Sequence, residues 1–119
     1  MTEPFGHEKL IVYQKGMRFA VFRGALLERL PRRVAACDHL ERGAEGILLN
    51  ITEGNGRFTG QDQAGFYETA YKATIQSASL VDLATANGVG DVARVEAGRE
   101  LLRRIAAMLT ALSKVAAHA

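Results

Sequence analysis

The chain has 119 residues, a length that fits one domain with its own core and needs no disulfide or metal to staple it. Hydrophobic residues make up 48% and charged residues 24%, which excludes a disordered chain, and a single cysteine, Cys37, excludes an internal disulfide framework and suits a reducing cytoplasm. The net charge of +2 is unevenly placed: residues 1–33 carry seven basic and three acidic groups, 34–88 three and seven, and 89–119 five and three.

No apolar run approaches the roughly 20 residues of a membrane span, and the start, Met1 to Lys9, does not read as a signal peptide. Breaks at Pro31, at Gly54-Asn55-Gly56 and at Asn87-Gly88-Val89-Gly90 divide the chain into four long segments. Apolar and polar residues do not alternate over a strand length in any of them, so each reads as a helix.

The first segment runs from about His7 to Leu30, and 13 of the 21 residues from Leu10 to Leu30 are apolar. On a helical wheel they form two stripes. One holds Leu10, Tyr13, Met17, Ala20 and Val21; the other holds Val12, Phe19, Phe22, Leu26 and Leu30. One stripe can pack inside the chain and the second wants a partner, so Phe19, Phe22 and Leu26 are the candidate oligomer contacts.

In the second segment Asp38-x-x-Glu41 has the form of a capping box, although Val34 to Cys37 can extend the helix backward. Its core face is Leu40, Ala44, Ile47 and Ile51. Gly43 and Gly46 lie beside that face with Asn50 and Glu53; glycines inside a helix cost about 1 kcal/mol each, so they predict close approach of another backbone. Gly54 is the predicted left-handed stop.

The third segment opens with Thr59-x-x-Asp62, another capping pattern, continues through Ala64, Tyr67, Ala70, Tyr71, Thr74, Ala78 and Val81, and stops at Gly88. The fourth starts at Asp91 as N-cap and carries Val95, Leu101, Leu102, Ile105, Leu109, Leu112 and Ala116 on a wide apolar face. Residues 1–119 therefore read as one all-α domain, an antiparallel up-down-up-down four-helix bundle.

Three stretches carry a family resemblance: Leu10-Ile11-Val12-Tyr13-Gln14-Lys15; Asp38-His39-Leu40-Glu41-Arg42-Gly43-Ala44 followed by Asn50-Ile51-Thr52-Glu53-Gly54; and Phe66-Tyr67. The chain resembles the four-helix-bundle proteins encoded in intervening sequences of bacterial 23S ribosomal RNA genes. The resemblance implies a bundle that assembles into a ring, a homopentamer, with no catalytic activity. The same fold is used by the accessory variability proteins of diversity-generating retroelements, which bind nucleic acid and a reverse transcriptase. That is a looser likeness, because those proteins lack the Asn-Ile-x-Glu-Gly run. Two departures stand out. His39-Leu40-Glu41-Arg42-Gly43 replaces a Gln-Leu-Arg-Arg-Ala pattern, and Gln76 stands where the family carries a carboxylate.

Four residues of the family motif, Arg42, Asn50, Glu53 and Gly54, read as a ligand site or as a structural cluster in which Arg42 or Arg57 neutralises Glu53. The structural reading is favoured. Arg99, Arg103 and Arg104 could contact phosphates, yet Glu100 stands three and four residues before the last two, the spacing of ordinary ion pairs. In an up-down bundle the first and last helices are adjacent, so Lys15 and Arg18 join Arg99, Arg103 and Arg104 as candidate nucleic-acid contacts on one basic side.

Arg33, six residues before His39, is similar to the Arg–His motif of helical HEPN-type ribonucleases, in which the His would act on the ribose hydroxyl or leaving group. That is the enzymatic alternative. Pro31 stands against it, because it places Arg33 in a connection. His7, His39 and His118 have no ligand spacing, and no metal or cofactor is expected. The favoured reading is a non-enzymatic, ring-forming cytoplasmic accessory that binds RNA or DNA, or a protein partner such as a reverse transcriptase. A purely structural docking oligomer is the third reading.

Overall fold

A computed structural model describes residues 6–27, 35–86, 88 and 92–118. A short 3-10 turn, Gly6–Lys9, leads into α1 (Ile11–Leu27), followed by α2 (Ala35–Asn55), α3 (Gly60–Ala86) and α4 (Val92–Ala117). Among the described residues there is no strand. Neighbouring helices meet in opposite senses. α2 meets α3 at Gly43–Ser77, Gly46–Ala73 and Gly54–Tyr67. α1 meets α2 at Gly16–Leu48 and at Arg23–Glu41. Arg99 reaches Asp82 while Ser113 reaches Ala64, and Phe22 lies on Gly98 while Val12 lies near Leu112. The numbers rise on one helix as they fall on its neighbour, so the all-α bundle is antiparallel.

The local signals explain most of the boundaries. The Thr59 hydroxyl accepts the Asp62 amide at 3.2 Å, satisfying an orphan donor at the start of α3. Gly88 takes φ +78°, and its amide donates to the Thr85 carbonyl at 2.9 Å. The second helix starts earlier than the Asp38 capping box predicts, because the good helix formers Ala35 and Ala36 extend it backward. Pro31, Arg33 and the Asp91 cap lie outside the described residues, as do the side chains of Cys37 and Asp38.

Gly54 corrects a second expectation. It is not the left-handed stop: α2 continues through Asn55, and Gly88 is the only described glycine with positive φ. Its small size serves packing instead, because a Cβ there would stand 2.8 Å from the Tyr67 ring. Burial holds the Tyr67 hydroxyl above its ordinary pKa, as expected of a core residue.

The core face of α2 is as expected, with Leu40, Ala44, Ile47 and Ile51 all buried. They meet Val81 and Ala84 of α3 and Leu102, Ile105 and Leu109 of α4 in one cluster. Thr74 and Ser77 are buried too, and each hydroxyl donates to the carbonyl four residues back at 2.8 Å, so neither leaves an unmet polar group. Gly43 lets the α2 backbone lie directly on Ser77, the close approach the glycines predict.

α1 turns the described part of the stripe expected to face a partner, Val12, Phe19 and Phe22, into the chain. Val12 and Phe19 are 2% and 0% exposed, and Phe22 packs against the core. The reason lies on the neighbours: Gly16 admits Leu48, and Gly98 leaves a notch that the Phe22 ring fills. Phe19 is therefore a core residue and not an oligomer contact, Phe22 is half-buried against the core, and the Leu26 side chain lies outside the described residues. Of the other stripe, Leu10, Tyr13 and Ala20 also pack against the core, while Met17 and Val21 are 44% and 73% exposed.

Candidate functional site

Five basic candidates were expected on one side of the bundle, and the geometry divides them. Arg99 reaches Asp82 at 3.3 Å and Glu96 at 3.5 Å, Arg103 reaches Glu100 at 2.9 Å, and Arg104 reaches Glu100 at 3.0 Å. Three guanidiniums thus face three carboxylates. Hydrogen bonds from Arg104 and then Arg103 hold the Glu100 carboxyl below its ordinary range. Arg99 and Arg103 also line a groove between α3 and α4, away from α1. Lys15 and Arg18, on α1, form no ion pair among the described residues. Of the five candidates, the three arginines on α4 are matched by carboxylates and, among the described residues, the two cations on α1 are not.

The motif residues are largely structural. Asn50 donates to the Gly46 carbonyl of its own helix at 2.7 Å. Glu53 is paired with Arg57 at 3.0 Å, and that guanidinium lies 4.6 Å over the Phe66 ring, tying the end of α2 to the start of α3. Arg42 is the exception. It is exposed and lines a groove of about 480 Å3 between α2 and α3 with His39, Gln76 and Ser79. Sequence reading missed this grouping, because its members come from two helices more than thirty positions apart.

A third surface is apolar. On α1, Ile11, Met17 and Val21 are 61%, 44% and 73% exposed, and a groove of about 470 Å3 runs from Leu10 and Ile11 to Met108 and Leu112 on α4. Val115 of α4 is a further exposed apolar residue, at 71%. Tyr71, Ile75 and Leu83 form a separate set of exposed apolar side chains on α3.

The sequence model of the 23S rRNA-intervening sequence proteins matches residues 8–111, nearly the whole chain. The chain belongs to that family. No curated protein matches it. The 23S rRNA-intervening sequence proteins are not a known enzyme family, and the HEPN-like alternative rests on Arg33, which lies outside the described residues. His39 is exposed, and its near neighbour in the α2–α3 groove is Arg42. Among the described residues of this family member, no three His, Cys, Asp or Glu side chains are grouped to hold a metal ion, and no helix is long and apolar enough to cross a membrane.

Proposed function

We propose that the chain is a non-enzymatic, ring-forming accessory protein that binds nucleic acid. The observation that carries the assembly is the exposed apolar stripe of α1. Fully burying a side chain of the size of Ile, Met or Val stabilises by about 1.5–3 kcal/mol. Three of them reach the low end of the roughly 4–15 kcal/mol that association costs, so one such contact is weak. A ring gives every copy two contacts and joins two different patches, and the exposed set on α3 supplies the second. Five copies follow from the family resemblance.

Light scattering across micromolar concentrations tests this. The expected mass is five times 12.9 kDa, and Met17→Glu with Val21→Glu should reduce it to the monomer while leaving the helical spectrum intact. A wild-type monomer would remove the ring. Nucleic-acid binding then rests on phosphate contacts by the unpaired cations, and affinity should fall steeply with salt. Carboxylate matching on α4 favours a docking oligomer as the second reading, which takes first place if the intact ring binds neither RNA nor DNA.

A further inference from the structure

We infer that the α2–α3 groove built by His39, Arg42, Gln76 and Ser79 binds a phosphate-bearing nucleotide of a single strand, an inference that rests on the nucleic-acid reading above. Most arginines of the described residues are already engaged. Arg23 meets Glu41, Arg57 meets Glu53, and Arg99, Arg103 and Arg104 meet Asp82, Glu96 and Glu100. Arg42 has no hydrogen bond or ion pair among the described residues, and it is the arginine that opens onto the α2–α3 groove.

The surroundings fit an anion. None of the described residues lining the groove is acidic, and Glu41, beside Arg42 in sequence, is turned to Arg23 on α1 at 3.8 Å. Gln76 faces the groove from α3 as an uncharged amide. Among the described residues Arg42 is therefore a forked donor with no carboxylate to accept from it, the arrangement that receives a phosphate.

The remaining groups point to a nucleotide and not to bare phosphate. Gln76 offers both an amide donor and a carbonyl acceptor, and Ser79 a hydroxyl, which together can pair with a base edge or a ribose hydroxyl. The His39 ring can stack or donate. Gly43 and Ala73 keep the floor shallow, because α2 and α3 approach closely there. A volume of about 480 Å3 accepts one nucleotide but not the width of a duplex, whose base edges are also closed to such a groove.

The test uses the wild-type chain, Arg42→Gln and Gln76→Glu, with a labelled single-stranded oligouridylate at low salt and inorganic phosphate as a second probe. Gln76→Glu is nearly isosteric and places a carboxylate opposite Arg42, so it should preserve the melting temperature. Each variant is expected to weaken strand binding at least about tenfold, the size of one charge-assisted contact. Binding by the wild-type chain that both variants retain would overturn this site and leave the nucleic-acid reading intact. No binding by the wild-type chain would overturn both. Arg42-dependent binding of inorganic phosphate without any strand binding would overturn the nucleotide assignment.

Discussion

The α2–α3 pair and α1 solve the same packing problem to different degrees. Between α2 and α3 the helices close on glycines and small residues, Gly43 on Ser77, Gly46 on Ala73 and Gly54 on Tyr67, and the buried hydroxyls are satisfied within their own helix. α1 buries Val12 and Phe19 but keeps Ile11, Met17 and Val21 in water. The first interface is finished inside the chain. The second leaves Ile11, Met17 and Val21 uncovered, and these are what a second copy can cover.

The largest expected effect breaks the comparison on the α1 side. Phe19→Ala should cost about 3–5 kcal/mol, as for a large aromatic removed from a closed core. Val21→Ala should change the stability of the isolated chain by less than about 0.5 kcal/mol. Urea unfolding at low protein concentration reads both. Equal costs would mean that the two faces of α1 are equally buried and that no half is left for a partner.

The next effect sharpens the α2–α3 side. Gly43→Ala gains about 1 kcal/mol of helix propensity but drives a Cβ into the Ser77 hydroxyl, an overpacking cost of roughly 1–3 kcal/mol, so a net loss of about 1 kcal/mol is expected. Removing the obstacle as well, in Gly43→Ala with Ser77→Ala, should return stability to or above wild type. A thermal-melt double-mutant cycle checks it, and simple addition of the two single effects would refute the close approach.

Much of the fold was legible because periodicity, caps and glycines agreed. On α2 the residues Leu40, Ala44, Ile47 and Ile51 could face only one way, since charged residues occupy the opposite side. On α1 the wheel carried two equally apolar stripes, and nothing within the helix chose between them. Gly98, more than seventy residues away, offers the notch that accepts Phe22, and such a partner is invisible within the helix itself. Gly54 was ambiguous for a related reason, since a glycine near a helix end serves a left-handed turn and a close contact equally well in sequence.

The candidate site was less legible. Pairing of Glu100 with Arg103 and Arg104 is local and could be read from spacing, but Arg99 with Asp82 crosses between helices and could not. Arg42 and Gln76 lie 34 positions apart, and their meeting depends on the register that Gly43 and Gly46 set between α2 and α3.

The smallest expected effect concerns the α4 carboxylate that shields two arginines. Glu100 is held below its ordinary pKa by Arg104 and Arg103. A carboxyl depressed in the folded state contributes fully above its unfolded value, near 4.3, and that contribution is lost as pH falls through the folded value. Glu100→Gln should therefore lower the wild-type melting temperature slightly at neutral pH, with the two curves converging in acid. Salt should narrow the gap, because the pair is exposed. Parallel curves down to strongly acidic pH would show that the bonds to Arg103 and Arg104 contribute nothing in solution. The same substitution frees Arg104 and leaves Arg103 only its 4.0 Å contact with Glu96, so affinity for single strands should rise modestly and alike for every sequence, whereas the Arg42 groove should be unaffected.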